Sequence, residues 1–437
     1  MARTRTWWAA CAALLGAACA GPSAQHKLSL NSRIASRDWA GAVGQLERAK
    51  ASEYASRDEV LYWLDVAAVL HDAGKWRESD KALDQAEQRL EALYTQSISK
   101  GAATFFVNDT TDDYRGEPHE RSLLHILRAL NYAYAGASDE AVVESRKVTT
   151  FLTELGTTVG SRYTYRDDAF AQYLSALLFE DAGHPDDARI SYQAAHTAYQ
   201  AYAAAYGTQE PGWKLPPMHQ GEGEIVFLHY VGVAPRRSSQ TIQVAWNDAI
   251  AAINATSGDD EDAKKAQNAI VAGLSANAIT VAFPEQIQDP FLIQGSEIEV
   301  AGKLAPTVVV EDISAIAARA LDDRMGIIRS RAIARATIKY VLGKIAEEET
   351  KKHAGQGWGL LAGMVTRVAS AATEVADTRC WNTLPAQIRM ARVRVPAGKQ
   401  VVGVRYTNAQ GQFTDAEKVD VDVTAGRRTY VHVRTAM

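Results

Sequence analysis

Residues 104–148, TFFVNDTTDDYRGEPHERSLLHILRALNYAYAGASDEAVVESRKV, join a polar loop of unusual chemistry to a long apolar-periodic segment. Phe105-Phe106-Val107 reads as a short strand or an apolar plug, and Asn108-Asp109-Thr110 is turn chemistry. Tyr114-Arg115-Gly116-Glu117 then leads into a helix that begins near Glu120. A loop of this length inside a helical region is longer than connections usually are, and its aromatic anchors favour an ordered loop folded over the helices. Farther on, Glu144 and Arg146 stand two places apart on a helix and point in different directions, so each needs a partner elsewhere. The expected pairs are Arg115 or Arg121 with Glu144, and Arg146 with Asp109 or Glu117.

Outward from this stretch, residues 19–206 are rich in alanine and leucine and read as helices. An alanine recurs seven places before a turn glycine, as Ala67 and Gly74, Ala129 and Gly136, and Ala176 and Gly183. Small residues stand five places after the second and third glycines, at Ala141 and Ala188, and the third unit adds Tyr192 and Ala195. Asp38-Trp39-Ala40-Gly41-Ala42 has the character of the second half of a further unit. The pattern resembles tetratricopeptide repeats, in which small residues let paired helices approach. Its turn glycines are 62 and 47 residues apart, against roughly 34 in that family, which implies insertions between units. An unrelated helical bundle is the alternative.

The chain has 437 residues, of which 47% are hydrophobic and 23% charged, enough for two or three domains. Its 47 basic and 52 acidic residues are spread along the length for a net charge of -5, so the basic footprint of a nucleic-acid binder is missing. Residues 1–18 have the form of an export signal: Arg3 and Arg5, an uncharged run too short to span a bilayer, then Leu15-Gly16-Ala17-Ala18 before Cys19. This resembles a bacterial lipoprotein signal, in which Cys19 becomes the lipidated first residue. Ordinary secretion with cleavage after Ala20 is the other reading. After loss of the signal with Cys11, and with Cys19 carrying lipid, Cys380 is the one thiol left, so no internal disulfide forms. It is expected to be a small buried residue.

Prolines at 211, 216 and 217 mark residues 207–223 as a linker. A mixed α/β region follows over residues 224–353. Residues 224–233 and 278–283 read as buried strands, residues 297–300 and 307–310 as a hairpin, and residues 312–352 as a long helix. The last segment, residues 354–437, opens with Gly355-Gln356-Gly357-Trp358-Gly359 and an apolar helix. This glycine-rich loop follows a charged helix and has no P-loop lysine, so it reads as a hinge. Alternation at Val393 and Val395, at Val419, Val421 and Val423, and at Val431 and Val433 predicts a small C-terminal antiparallel β-sandwich, with His432 facing outward. Trp381 and Leu384 are candidates for the joint between this module and the rest. The fold class is therefore α+β.

No HExxH, GxSxG or Walker motif occurs, the histidines are scattered, and Asp259-Asp260-Glu261-Asp262 lacks the spaced ligands of a calcium loop. No cofactor or metal is expected. The blocks Asn108-Asp109, Tyr114-Arg115-Gly116-Glu117, Glu120-Arg121, Ala129-Leu130-Asn131-Tyr132 and Ala141-Val142-Val143-Glu144-Ser145-Arg146 together resemble an uncharacterised family of Gram-negative envelope lipoproteins. Gly221-Glu222-Gly223-Glu224, Ala234-Pro235-Arg236, Ala282-Phe283-Pro284, Ala376-Asp377-Thr378-Arg379, Trp381 and Leu384-Pro385-Ala386 extend the resemblance over nearly the whole mature chain. It implies a location, an outer-membrane lipoprotein facing the periplasm, and a fold type, and it transfers no catalytic residue. Two functions are open. One is an interaction or assembly scaffold for an envelope protein partner, anchored through Cys19. The other is an envelope enzyme or glycan-binding protein using the acids and aromatics around Asp109, Tyr114 and Glu117. The candidate binding residues are Asn108, Asp109, Tyr114, Arg115, Gly116, Glu117, Glu120, Arg121, Glu144 and Arg146.

Overall fold

The computed structural model describes residues 21–98, 112–159, 163–213, 215, 217–256, 261–354 and 376–436. Cys19, Asn108, Asp109, residues 259–260 and the glycine-rich loop with its apolar helix lie outside them.

Among the described residues, eight helices open the chain as four hairpins: α1 (Ala24–Ala35) with α2 (Trp39–Ala49), α3 (Glu59–Asp72) with α4 (Trp76–Ile98), α5 (Pro118–Tyr134) with α6 (Ser138–Val159), and α7 (Ala169–Asp181) with α8 (Pro185–Tyr206). The turns share one construction. Gly74, Gly136 and Gly183 take φ of +71°, +74° and +78°, and the residue after each donates its N–H back across the turn, Lys75 to Leu70, Ala137 to Tyr132 and His184 to Phe179. This is the glycine-capped helix end that the left-handed conformation permits. The first turn is closed by the same bond, Asp38 to Arg33 at 2.9 Å, with Arg37 held at φ +56° in place of glycine. Five places after each turn residue stand Ala42, Ser79, Ala141 and Ala188, all buried, and Ala67, Ala129 and Ala176 are buried opposite. Small side chains at these crossings set the close helix spacing that the sequence pattern announced.

The second half is sheet-based. Its strands are β1 (Glu222–Val231), β2 (Arg236–Ala245), β3 (Ala278–Ile287), β4 (Gly295–Val300), β5 (Lys303–Pro306), β6 (Val308–Asp312), β7 (Gln387–Pro396), β8 (Gly398–Thr407), β9 (Phe413–Val423) and β10 (Arg428–Thr435). One sheet has the order β10-β1-β7-β6, another β5-β4-β8-β9. Helices cover one face of the first sheet, through Val226, Leu228, Tyr230, Ile388 and Met390. Its other face packs on the second sheet through Ile225, Phe227, Ala391, Val393, Val402, Val404 and Val423. Alternate residues of β1 thus enter different cores, which is why its sequence reads as one continuous apolar run. A separate core joins the β2–β3 ribbon, α9 (Trp246–Thr256), α10 (Glu261–Val271) and the second part of α11 (Ile313–Ala354).

The α+β class is as expected, with helices first and antiparallel strands at the C-terminal end. Three details differ from the sequence reading. The sandwich also takes strands from the region read as mixed α/β, and its last strand β10 runs parallel to β1. The hairpin partner of β4 is not the segment 307–310, although Thr307 donates its N–H to the Ser296 carbonyl at 2.9 Å. That partner is β5, across a tight turn at Ala301-Gly302, while β6 joins β7 in the other sheet. His432 turns toward the helices, where its ring stacks on His71 at 5.2 Å beside Tyr134 and Tyr230. Trp381 and Leu384 are buried at the joint between helices and sheet, as expected.

Candidate functional site

Of the candidate residues, Asn108 and Asp109 lie outside the described residues, and the others gather around a sealed polar clasp and an open groove. The clasp begins at the start of α5. Glu117 precedes Pro118 at the first helical position, and its N–H donates to the Glu120 carboxylate at 2.7 Å, so the acid three places on caps its own helix. Gly116, at φ +66°, gives the bend that brings Tyr114 back over this end. The Tyr114 hydroxyl donates to Glu120 and its N–H to the Arg57 carbonyl at 2.7 Å. The other Glu120 oxygen accepts the N–H of Trp381 at 2.7 Å.

Tyr114, Glu117 and Glu120 are all buried. Glu117 pairs with Arg237 at 2.9 Å and with Arg324, and both arginines are buried. Burial alone would raise the Glu117 pKa, but the two guanidinium charges outweigh it and hold the carboxyl well below its ordinary range. Glu120 is pushed the other way, by burial first and then by the charge of Glu117. Beside them Arg379 is wholly buried, held by Asp58 at 3.1 Å, Asp377 at 2.8 Å and the Asp112 carbonyl at 2.8 Å. Cys380 is buried as expected, its thiol 3.7 Å from the Pro235 carbonyl. A cavity of about 10 Å³ between His119, Arg237, Cys380 and Trp381 holds no more than one water.

The groove lies across α4, α5 and α6, with a volume of about 440 Å³. Arg121, Arg146, Lys147 and His125 line it with Glu87, Glu91 and Glu154, and Leu90, Leu124, Val143 and Phe151 supply apolar surface. The Arg121 guanidinium lies over the Phe151 ring at 4.6 Å. Glu144 is buried at the wall, within 2.9 Å of His125 Nδ1 and 3.2 Å of Lys147 Nζ. Burial opposes its charge, yet the bond to His125 and the charge of Arg128 bring its pKa below the ordinary value. Arg146 is exposed, 3.4 Å from Asp187.

The expected charge pairs are therefore corrected. Glu144 meets His125, Arg128 and Lys147 rather than Arg115 or Arg121, and Arg146 meets Asp187 rather than Glu117, while Asp109 lies outside the described residues. The reason is depth: Glu117 is already committed to two buried arginines, whereas Arg146 faces solvent. Arg115 is half-buried beside the clasp. Sequence reasoning missed Arg237, Arg324 and Arg379, which have no local periodicity to betray burial.

Glu87, His125 and Glu144 place possible ligand atoms within 4.8 Å of one another. Lys147 Nζ already sits between the two carboxylates, 2.9 Å from Glu87 and 3.2 Å from Glu144, and Arg128 also binds Glu87. A dication there would displace one cation and abut another, so the donor set is that of an ion-pair network. No protein-family model matches the sequence, and no curated protein matches it.

Proposed function

We propose that the chain is an envelope lipoprotein that acts as an assembly scaffold. Lipid at Cys19 holds it to the membrane, with the outer membrane facing the periplasm as its site, and a segment of an envelope protein docks in the groove across α4, α5 and α6. The export signal and the family resemblance support the location. Among the described residues no helix is long and apolar enough to cross a membrane.

The observation that carries the scaffold reading is the contrast in access: Tyr114, Glu117 and Glu120 are consumed by the chain's own groups, while Arg121, Arg146 and Lys147 line an open groove beside half-exposed Val143. Apolar surface rimmed by both signs of charge suits a mixed-charge amphipathic segment.

A photo-reactive residue at Val143 in intact cells tests this. A single envelope protein should be crosslinked, and Arg146→Ala with Lys147→Ala should abolish the adduct while the melting temperature stays near wild type. Crosslinking that ignores those charges, or none at all, removes the groove from the proposal. Cys19→Ser should release the protein from the membrane fraction and end incorporation of labelled palmitate.

A further inference from the structure

The first described residues are fastened to the body with no slack. Gly21 and Pro22 are buried, and Gly21, at φ +82°, lies so close to Arg379 that a Cβ there would stand 2.6 Å from its Cγ. Ser23 donates its N–H to Glu53 at 2.8 Å and its hydroxyl at 3.2 Å, and it also caps α1 through His26 N–H. Buried Lys27 reaches the Thr378 carbonyl at 2.8 Å. Arg379 is itself immobilised by Asp58, Asp377 and the Asp112 carbonyl. The chain is thus fixed from Gly21 onward, and one residue, Ala20, separates it from Cys19.

We infer that the lipid holds the body directly against the bilayer, with the face around Gly21 and the first turn of α1 set on the lipid headgroups. This rests on lipidation at Cys19. Two residue steps span at most about 7 Å, so a lipid on Cys19 allows Gly21 no greater distance from its point of attachment. A lipoprotein on a flexible leader of twenty residues would range over roughly 25 Å. The surface at this point offers Ala24, Gln25 and Leu28, all exposed, and Leu28 supplies an apolar contact for the interface.

The test uses the full-length protein in phosphatidylethanolamine–phosphatidylglycerol vesicles containing headgroup-nitroxide lipid. Gln25→Cys carries a bimane label, since Cys380 is buried and the Cys19 thiol is consumed by lipid. Mass spectrometry of the N-terminal peptide first reads whether Cys19 is lipidated; an unmodified peptide overturns the anchoring itself. With lipid present, bimane fluorescence should be strongly quenched. A glycine–serine leader inserted between Ala20 and Gly21 should restore it without loss of lipid. Absence of quenching at native spacing, in lipidated protein, overturns the flush placement and means that something other than the bilayer faces this surface. Quenching that survives the inserted leader overturns the short tether as its cause.

Discussion

The clasp at the head of α5 and the groove across α4–α6 are built from the same residue types on adjoining stretches of α5, and they put charge to opposite uses. In the clasp Glu117 meets two buried arginines and the polar groups of Glu120 are taken by Tyr114, Trp381 and the Glu117 N–H. In the groove Glu144 and Glu87 share Arg128 and Lys147, and Lys147 is more than a third exposed. Water decides the difference. A sealed ion pair cannot exchange partners without a large desolvation penalty, so it specifies one arrangement of helices, ribbon and sheet. An open pair can give up its partner to another chain at little cost.

Breaking the clasp should have the largest effect. Glu117→Leu leaves Arg237 and Arg324 without their common acid and should cost about 5 kcal/mol, the upper end of the range for a broken buried pair. Urea denaturation measures it, and adding Arg237→Met to the same chain should recover part of the loss. A double variant no better than the single one would mean that the cost lies in packing rather than charge. Trp381→Ala, at the same joint, should cost about 3–4 kcal/mol by leaving a cavity between helices and sheet. An unchanged melting curve would contradict its burial.

A third test concerns a buried acid with no cationic partner among the described residues. Glu311 is wholly buried, its Oε1 3.4 Å from the Tyr202 hydroxyl and its Oε2 without a hydrogen-bond partner among the described residues. Burial, then the charge of Asp168, pushes its pKa well above the ordinary carboxyl range. A raised folded-state pKa contributes stability that is complete below the unfolded value and is lost as pH rises through the folded one. Glu311→Gln should therefore gain in melting temperature relative to wild type as pH rises from 5 toward 9; a difference that is flat with pH would refute the assignment.

Glu144, whose pKa is lowered, has the opposite sign. Its contribution is present above about pH 4.5 and disappears as pH falls through the depressed value. Glu144→Gln should cost about 1–3 kcal/mol at pH 7 and progressively less in acid, measured by thermal melts across pH. The smallest effect belongs to Arg146→Met, whose exposed pair with Asp187 is worth less than about 1 kcal/mol. Its melting curve should barely move while crosslinking at Val143 falls. A large stability loss there would make the groove a second clasp and erase the contrast.

Sequence carried the local half of this picture. The alanine and glycine spacing marked the helical turns because backbone capping is a short-range property, and Glu117-Pro118 with Glu120 is a readable helix start. Arg237 and Arg324 come from distant parts of the chain, so no periodicity links them to Glu117, and Arg379, though next but one to Asp377, finds its second acid Asp58 321 residues away. The β4 partner was misplaced for a related reason. Ala301-Gly302 closes a turn short enough to pair β4 with β5, which frees β6 for the sheet facing the helices, and that choice depends on Val310 entering the helical core. His432 was placed outward because alternation tells two strand faces apart without saying that both are covered.

The parallel pairing of β10 with β1 sets an order of events in the life of the chain. Strand β1 and the four helical hairpins are made long before residues 428–435, yet β10 supplies their closing edge, along with Tyr430 for Asp181 and Arg434 for Asp72. Until β10 docks, the edge of β1 away from β7 stands open, with unpaired backbone groups that invite aggregation or a chaperone. Removing residues 428–435 would leave that edge of β1 open and take Tyr430 from Asp181 and Arg434 from Asp72.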